Sequence, residues 1–254
     1  MILDSFRLDG KVALVTGSSR GLGQGAALAL AEAGADVALL DHVAAKETAG
    51  KIEALGRRAQ ILEQDLIKAT PAELDACVQA VVDTLGRVDI LVNNAGIIRR
   101  APLLEHTAAD WDDVLAINLD AVFHLSQAVA RRYVTQGGGK IINIASMLSF
   151  QGGILVPGYA ASKHAVAGIT KSFANELAQH GINVNAIAPG YMATDNTAQI
   201  RADEAREKSI LARIPAGRWG TAGDLQGPFV FLASPASDYL NGAIIPVDGG
   251  WLVR

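Results

Sequence analysis

Two hydrophobic patterns alternate along the chain. Short, nearly continuous apolar runs at residues 11–16, 36–40, 58–64, 89–93, 140–145, 183–188 and 244–247 read as strands buried on both faces. Between them lie longer segments with apolar residues at helical spacing: 21–33, a stretch from residue 70, 107 to about 133, 159–179 and 221–232. Gly34 reads as the stop of the first helix. Thr70-Pro71-Ala72-Glu73 reads as a start: Thr70 caps, Pro71 suits the first turn and Glu73 completes a capping box. Strands alternating with helices imply an α/β fold, a doubly wound parallel sheet with helices on both faces. No Pro/Gly/Ser-rich linker, repeat or low-complexity tract interrupts residues 1–254, so one domain is expected.

Composition narrows the function classes. Half of the 254 residues are hydrophobic, enough for a large core. The formal charge of −4, with no block of like charge, argues against nucleic acid or an anionic membrane as partner. Cys77 is the only cysteine, so no intrachain disulfide forms. The first ten residues lack the apolar stretch of a signal peptide, and no run approaches the roughly 18 apolar residues of a membrane span. A cytoplasmic protein is expected. His42, His106, His124, His164 and His180 show no metal-ligand spacing, and no metal is expected.

Chemistry concentrates where strands end. Thr16-Gly17-Ser18-Ser19-Arg20-Gly21-Leu22-Gly23 turns the first strand into the first helix. Glycines there let the backbone approach a pyrophosphate, and the helix N-terminus supplies N–H donors and a positive dipole. Asp41 closes the second strand about 20 residues on, where a carboxylate binds the ribose hydroxyls of NAD and repels the extra phosphate of NADP. Arg20 pulls the other way, because a guanidinium is a phosphate ligand. Asp65-Leu66 ends the third strand, where a carboxylate can reach an adenine amino group. Asn93-Asn94-Ala95-Gly96 follows the fourth; its asparagines either pin neighbouring strands or touch the cofactor.

Tyr159 and Lys163 stand four residues apart, so on a helix they share a face. A cation beside a phenol favours phenolate and lowers the tyrosine pKa, making a general acid/base. Ser146, thirteen residues before the tyrosine, can hold a reacting oxygen or merely cap the fifth strand. A phosphate-cradling loop with such a phenol points to hydride transfer at a carbonyl or alcohol.

Together these motifs resemble the short-chain dehydrogenase/reductase family over essentially the whole chain: Thr16 to Gly23, Asp65, Asn93 to Gly96, Asn118, Ser146, Tyr159 to Lys163, and Pro189-Gly190-Tyr191-Met192-Ala193-Thr194. The resemblance implies a single-domain Rossmann fold with a seven-stranded sheet and a homotetramer. It implies that Asn118 holds a water and a helix kink in a proton relay through Lys163. It further implies that Lys163 binds the nicotinamide ribose and that Thr194, with the Met192 backbone, orients the carboxamide. The expected catalytic set is therefore Ser146, Tyr159, Lys163 and Asn118. NAD would contact Gly17, Ser19, Arg20, Gly21, Leu22, Gly23, Asp41, Asp65, Leu66, Asn93, Ala95, Gly96, Tyr159, Lys163, Pro189, Gly190, Met192 and Thr194.

The likeness extends to bacterial members acting on sugar acids of the 2-deoxy-D-gluconate or 2-dehydro-3-deoxy-D-gluconate type. It is carried by Ile97-Ile98-Arg99-Arg100, Ser146 to Gly153, Ala188 to Thr194, Ile214 to Gly220 and residues 247–254. A sugar acid needs a cation for its carboxylate. Arg99 and Arg100 are candidates or simply solvated; Arg201 and Arg254 are further ones. Gln151 either bonds sugar hydroxyls or stabilises its loop; Ser146 and Tyr159 complete the substrate set. Residues 196–213 are expected to form a mobile lid, within a lid region of about 190–215. Two rival readings are an NADPH-dependent 3-ketoacyl-type reductase on the same scaffold and a non-catalytic nucleotide-binding regulator.

Overall fold

The apolar runs pair edge to edge into one sheet. The computed structural model describes residues 1–254. Its strands are β1 Val12–Thr16, β2 Asp36–Asp41, β3 Ala59–Glu63, β4 Ile90–Asn93, β5 Gly139–Ile144, β6 Ile182–Pro189 and β7 Ile244–Val247. They lie in the order β3-β2-β1-β4-β5-β6-β7, every pair parallel. The helices are α1 Gly21–Glu32, α2 Lys46–Ala54, α3 Pro71–Leu85, α4 Ala108–Leu115, α5 Ala121–Gln136, α6 Pro157–Leu177, α7 Ala198–Ala202, α8 Glu204–Leu211 and α9 Gly223–Ala233.

Burial explains the continuous apolar runs. Ala13 and Val15 of β1 join a core with Leu30 of α1, Ile52 of α2 and Phe229 of α9. Val12 and Leu14 face the opposite core, with Val78 of α3 and Leu125 and Tyr133 of α5. Truncating one such side chain to alanine typically costs about 2–5 kcal/mol, so neither face tolerates polar substitution. The chain winds from β1 outward to β3, then crosses back to β4 on the other side of β1. That reversal opens a crevice at the carboxyl ends of the strands, where open α/β sheets bind ligands.

Local chemistry sets the helix ends. Thr70 Oγ1 accepts from the Glu73 backbone N–H at 3.3 Å, while the Thr70 N–H donates to Glu73 Oε2 at 2.8 Å. The helix stops at Gly86, whose φ of 92° is left-handed.

Two features depart from the sequence pattern. Helix α2 was not expected, because only Thr48, Ala49 and Ile52 of its nine residues are buried and no apolar stripe marks it. The helix that the apolar pattern predicts from residue 107 to about 133 is broken by one π-helical turn, Ala116–Asp120, between α4 and α5, at the Asn118 where the family resemblance implies a helix kink. Residues 196–213 contain two short helices, α7 and α8, whose Ile200, Ile210 and Leu211 pack with Met147, Tyr191 and Trp251. No helix is long and apolar enough to cross a membrane.

Candidate active site

The glycine loop is bare where backbone must approach closely. Gly17 has φ +64°, and a Cβ there would lie 2.9 Å from Ala95 Cα. A Cβ on Gly23 would meet the Gly17 carbonyl oxygen at 2.1 Å. Gly17, Ser19, Arg20, Gly21 and Leu22 line one wall of a cleft of about 280 Å³ at the carboxyl end of the sheet. A larger cavity, about 680 Å³, lies at the other end of the strands; its cations Lys11, Arg87 and Lys140 are paired with its own Asp89 and Asp238. The smaller cleft is the one that holds the tyrosine and lysine.

Asp41 ends β2 at the floor of that cleft, with only 6% of it exposed. Its Oδ2 accepts from the Ser19 N–H at 2.9 Å and its Oδ1 from the His42 N–H at 2.8 Å, with His42 Nδ1 at 2.7 Å. Burial alone would push its pKa up; the bonds from Ser19 and His42 outweigh that and hold it below the usual carboxylate value. The carboxylate is therefore ionised at neutral pH. Arg20 pairs with Asp195 across the cleft at 2.9 Å.

The asparagine motif divides its labour. Asn93 is buried; its Nδ2 donates to Asn143 Oδ1 at 2.9 Å and Ser126 Oγ at 3.0 Å, and Asn143 passes the network to Thr170. It ties β4 to β5, α5 and α6. Asn94 instead donates from Nδ2 to the carbonyls of Thr16 at 2.9 Å and Gly17 at 3.2 Å, pinning the glycine loop. Asn94, Ala95 and Gly96 line the cleft. Asp65 takes up the turn after β3 through the Ile67 N–H at 3.0 Å, and Leu66 is buried in the core.

Ser146 lies just past β5 and Tyr159 in the first turn of α6. Lys163 is buried one turn on, 4% exposed, with Nζ 5.5 Å from the Tyr159 ring centroid. It donates to the Ile144 carbonyl at 2.6 Å. Burial lowers its pKa to about 8. The Tyr159 phenol differs from expectation: burial raises it, opposed by the Ser146 hydroxyl beside it and by the positive charge of Arg100. The lysine sits over the ring and is turned to a carbonyl rather than to the phenolic oxygen, which is why it does not lower the phenol as the spacing suggested.

Asn118 occupies the π-helical turn and is fully buried. Its Oδ1 accepts from the Ile97 N–H at 2.9 Å, and its Nδ2 donates to the Ile97 carbonyl at 3.1 Å and Ser162 Oγ at 3.1 Å. Ser162 in turn donates to the Tyr159 carbonyl at 2.8 Å. One side chain thus couples the strand β4 loop to the turn that carries the tyrosine.

The two arginines separate. Arg99 pairs with Asp113 at 3.0 Å and Asp110 at 3.6 Å, both on α4. Arg100 has no carboxylate partner; its Nη2 donates to the Asn196 carbonyl at 2.9 Å, and its charge is felt at the Tyr159 phenol. Gln151 accepts from Trp251 Nε1 at 2.9 Å, which leaves its amide N–H groups free. Arg201 donates to the Thr194 carbonyl at 3.2 Å, and Arg254 to that of Ala212 at 2.9 Å. Pro189 closes β6, and Gly190 passes so close to Asp248 that a Cβ would meet its Cα at 2.6 Å. Met192 bridges to Gly220, while Thr194 reaches the cleft wall. His42, Asn94, Asp195 and Asn196 also line the cleft and went unmarked as site residues by the sequence reading. Only Asn94 carried a usable signal, its place in the Asn93-to-Gly96 motif.

A glycine cradle at the sheet's switch point, facing a serine, a tyrosine and a lysine, defines a dinucleotide-dependent oxidoreductase. The chain belongs to the short-chain dehydrogenase family, whose model matches residues 11–205. It is 61% identical over 255 residues to 2-dehydro-3-deoxy-D-gluconate 5-dehydrogenase of Dickeya dadantii, covering 100% of both chains. To the enzyme of that name from Escherichia coli it is 60% identical over 257 residues, again covering 100% of both. It also superposes on the crystal structure of a gluconate 5-dehydrogenase from Burkholderia cenocepacia in complex with NADP and tartrate. There the TM-score is 0.95 at 41% identity, covering 100% of each chain.

Proposed function

We propose that the chain is an NAD-dependent dehydrogenase interconverting a secondary alcohol and a ketone on a sugar acid of the 2-dehydro-3-deoxy-D-gluconate or 2-deoxy-D-gluconate type. The carrying observation is Arg100, a guanidinium without a counterion whose charge reaches the Tyr159 phenol. It is suited to an anionic substrate whose reacting oxygen lies at that phenol. The names of the relatives point to the same substrate class.

Gly21, at φ +59° with open space where a Cβ would point, leaves the loop backbone bare toward the cleft and would let it approach a pyrophosphate, while Gly17 and Gly23 let the loop pack tightly on Ala95 and on itself. Ser19, Arg20, Gly21 and Leu22 would complete that cradle, with Asp41 at the ribose and Asp65 and Leu66 toward the adenine. Ala95, Gly96, Pro189, Gly190, Met192 and Thr194 would surround the nicotinamide, and Asn93 would act behind them through β5. When bound, the nicotinamide supplies or accepts the hydride. Tyr159 Oη exchanges the proton with the substrate oxygen. Ser146 Oγ donates a hydrogen bond to that oxygen as negative charge develops on it. Lys163, largely protonated below its pKa of about 8 and anchored on the Ile144 carbonyl, would bind the nicotinamide ribose. Asn118 holds the turn under Tyr159. Gln151 would offer its free amide N–H groups to sugar hydroxyls.

Preference for NAD rests on Asp41, a buried anion where a 2′-phosphate would sit. The NADP bound by the Burkholderia relative, and Arg20 beside the ribose position, favour the other cofactor as a second reading. A regulator would need no assembled proton relay. A 3-ketoacyl chain carries no carboxylate of its own to pair with Arg100. Residues of about 190–215 would act as the substrate lid, and the exposed Trp111 and Phe123 on α4 and α5 suit self-association into a homotetramer. The test is to incubate the protein with NAD and each sugar acid and to identify the oxidised carbon by NMR. A new ketone on the acid supports the proposal; unchanged acids overturn it.

A further inference from the structure

The glycine loop and the lid meet through one ion pair. Arg20 Nη1 lies 2.9 Å from Asp195 Oδ2, and both side chains are 74% exposed. Both line the cleft that contains Asp41. Arg20 directly follows Ser19, whose N–H bonds to Asp41 at 2.9 Å, so its backbone lies next to the residue that meets Asp41. The neighbouring His42 is turned onto Asp41 at 2.7 Å, which leaves Arg20 as the one guanidinium on the cleft wall.

Asp195 is held from behind. Thr197 Oγ1 donates to the Met192 carbonyl at 2.6 Å and the Thr194 carbonyl at 3.0 Å, closing the turn that carries Asp195. Arg201 bonds the preceding residue and Arg100 the following one, at 3.2 and 2.9 Å. These bonds fix the backbone that carries Asp195, and its carboxylate makes no bond other than the pair with Arg20.

An arginine beside Asp41's position is the group that would accommodate the 2′-phosphate of NADP. Here that arginine is engaged across the cleft. We infer that Asp195 is a cofactor-selectivity residue that acts through Arg20: it withholds the guanidinium from a 2′-phosphate, which must break the bridge to recruit it. This rests on the reading of Asp41 as an NAD-favouring carboxylate and adds a second, remote contribution. NAD leaves the bridge closed over the cleft. NADP opens it, so the phosphorylated cofactor gives up the tie between glycine loop and lid. An exposed pair is weak, so the contribution is a factor of about two to five.

The experiment is a direct binding titration of NAD and NADP to the unaltered protein, Asp195→Asn, Asp195→Ala, Arg20→Ala and Arg20→Ala/Asp195→Asn. Thermal melts confirm that each variant is folded; both side chains are exposed. Asp195→Ala covers the case in which Asn keeps a hydrogen bond to Arg20. The expected result is NADP bound about two- to fivefold more tightly in the Asp195 variants, a smaller change for NAD, and no NADP gain in the Arg20→Ala background. Two results overturn the inference: an unchanged NADP Kd in both Asp195 variants, or an equal gain with and without Arg20, which would mean direct repulsion. The NAD reading fails separately, if the unaltered protein binds NADP more tightly than NAD. An Arg20-dependent gain would still support the coupling in that case.

Discussion

Removing the guanidinium of Arg100 should cost the protein its acid substrate far more than an uncharged one. Arg100 forms no ion pair, and its Nη2 is spent on the Asn196 carbonyl at 2.9 Å, so its charge is free for a substrate carboxylate. A hydrogen bond to a charged group contributes roughly 1.5–3 kcal/mol. Arg100→Ala should therefore lower kcat/KM for the acid by about 10–150-fold. The exposed position of Arg100 favours the lower part of that range. A second effect is shared by all substrates: the Arg100 charge lowers the Tyr159 phenol, so its loss lets that pKa rise. Alcohol oxidation needs the phenolate, and the rising limb of its pH profile should move to higher pH. Because that shift touches acid and amide analogue alike, the ratio of their kcat/KM values isolates the carboxylate contact. Arg99→Ala is the control. Its pairs with Asp113 and Asp110 are about 40% exposed, and their loss should cost at most about 1 kcal/mol of stability without moving the ratio. NADH absorbance at saturating cofactor gives the four numbers needed. If Arg100→Ala penalises acid and amide equally, or Arg99→Ala shifts the ratio as much, the carboxylate is not held at Arg100.

Tyr159→Phe should lose about 10²–10⁴-fold in turnover while still binding NAD, read by steady-state kinetics and a binding titration; near-full turnover would remove Tyr159 as the proton donor. Asn118→Ala strands the Ile97 N–H and carbonyl and removes a donor from the Ser162 hydroxyl, and should destabilise the fold by about 1–3 kcal/mol in urea unfolding; an unchanged midpoint would contradict its pinning role. Lys163 has a folded pKa of about 8 against 10.5 unfolded, so between those values the unfolded chain binds more protons and Lys163 makes stability rise with pH. Stability of the unaltered protein relative to Lys163→Met should therefore climb from pH 8 toward 10, whereas parallel curves would show that the lysine titrates normally.

Much of this was legible because it is periodic or local. Strands buried on both faces, such as β1, leave unbroken apolar runs, and the Thr70–Glu73 cap sits within four residues. The tyrosine–lysine spacing is likewise a property of one helix. What escaped depends on partners distant in sequence. Arg99 and Arg100 look alike until α4 brings Asp110 and Asp113 to one of them. Asn93 and Asn94 are adjacent, yet strand alternation sends one into the core and the other onto the glycine loop. The π-helical turn at Asn118 has no breaker residue, so the apolar pattern missed it; only the family resemblance implied a kink there, and its bonds to Ile97 and Ser162 come from tertiary structure. The raised Tyr159 phenol reflects burial, which outweighs the helical neighbour that spacing reveals.

The central claim is hydride exchange between NAD and an anionic sugar acid. Its most direct test is NADH formation by the unaltered protein across 2-dehydro-3-deoxy-D-gluconate, 2-deoxy-D-gluconate, D-gluconate, their amides and the matching alditols, and NADH consumption with the corresponding oxidised keto acids. The expected result is that at least one acid couples to NAD with kcat/KM at least about tenfold above its amide and alditol, the lower bound set by one charged hydrogen bond. Equal rates with acid and neutral compounds, or no NAD-linked turnover with any of the acids, would contradict it.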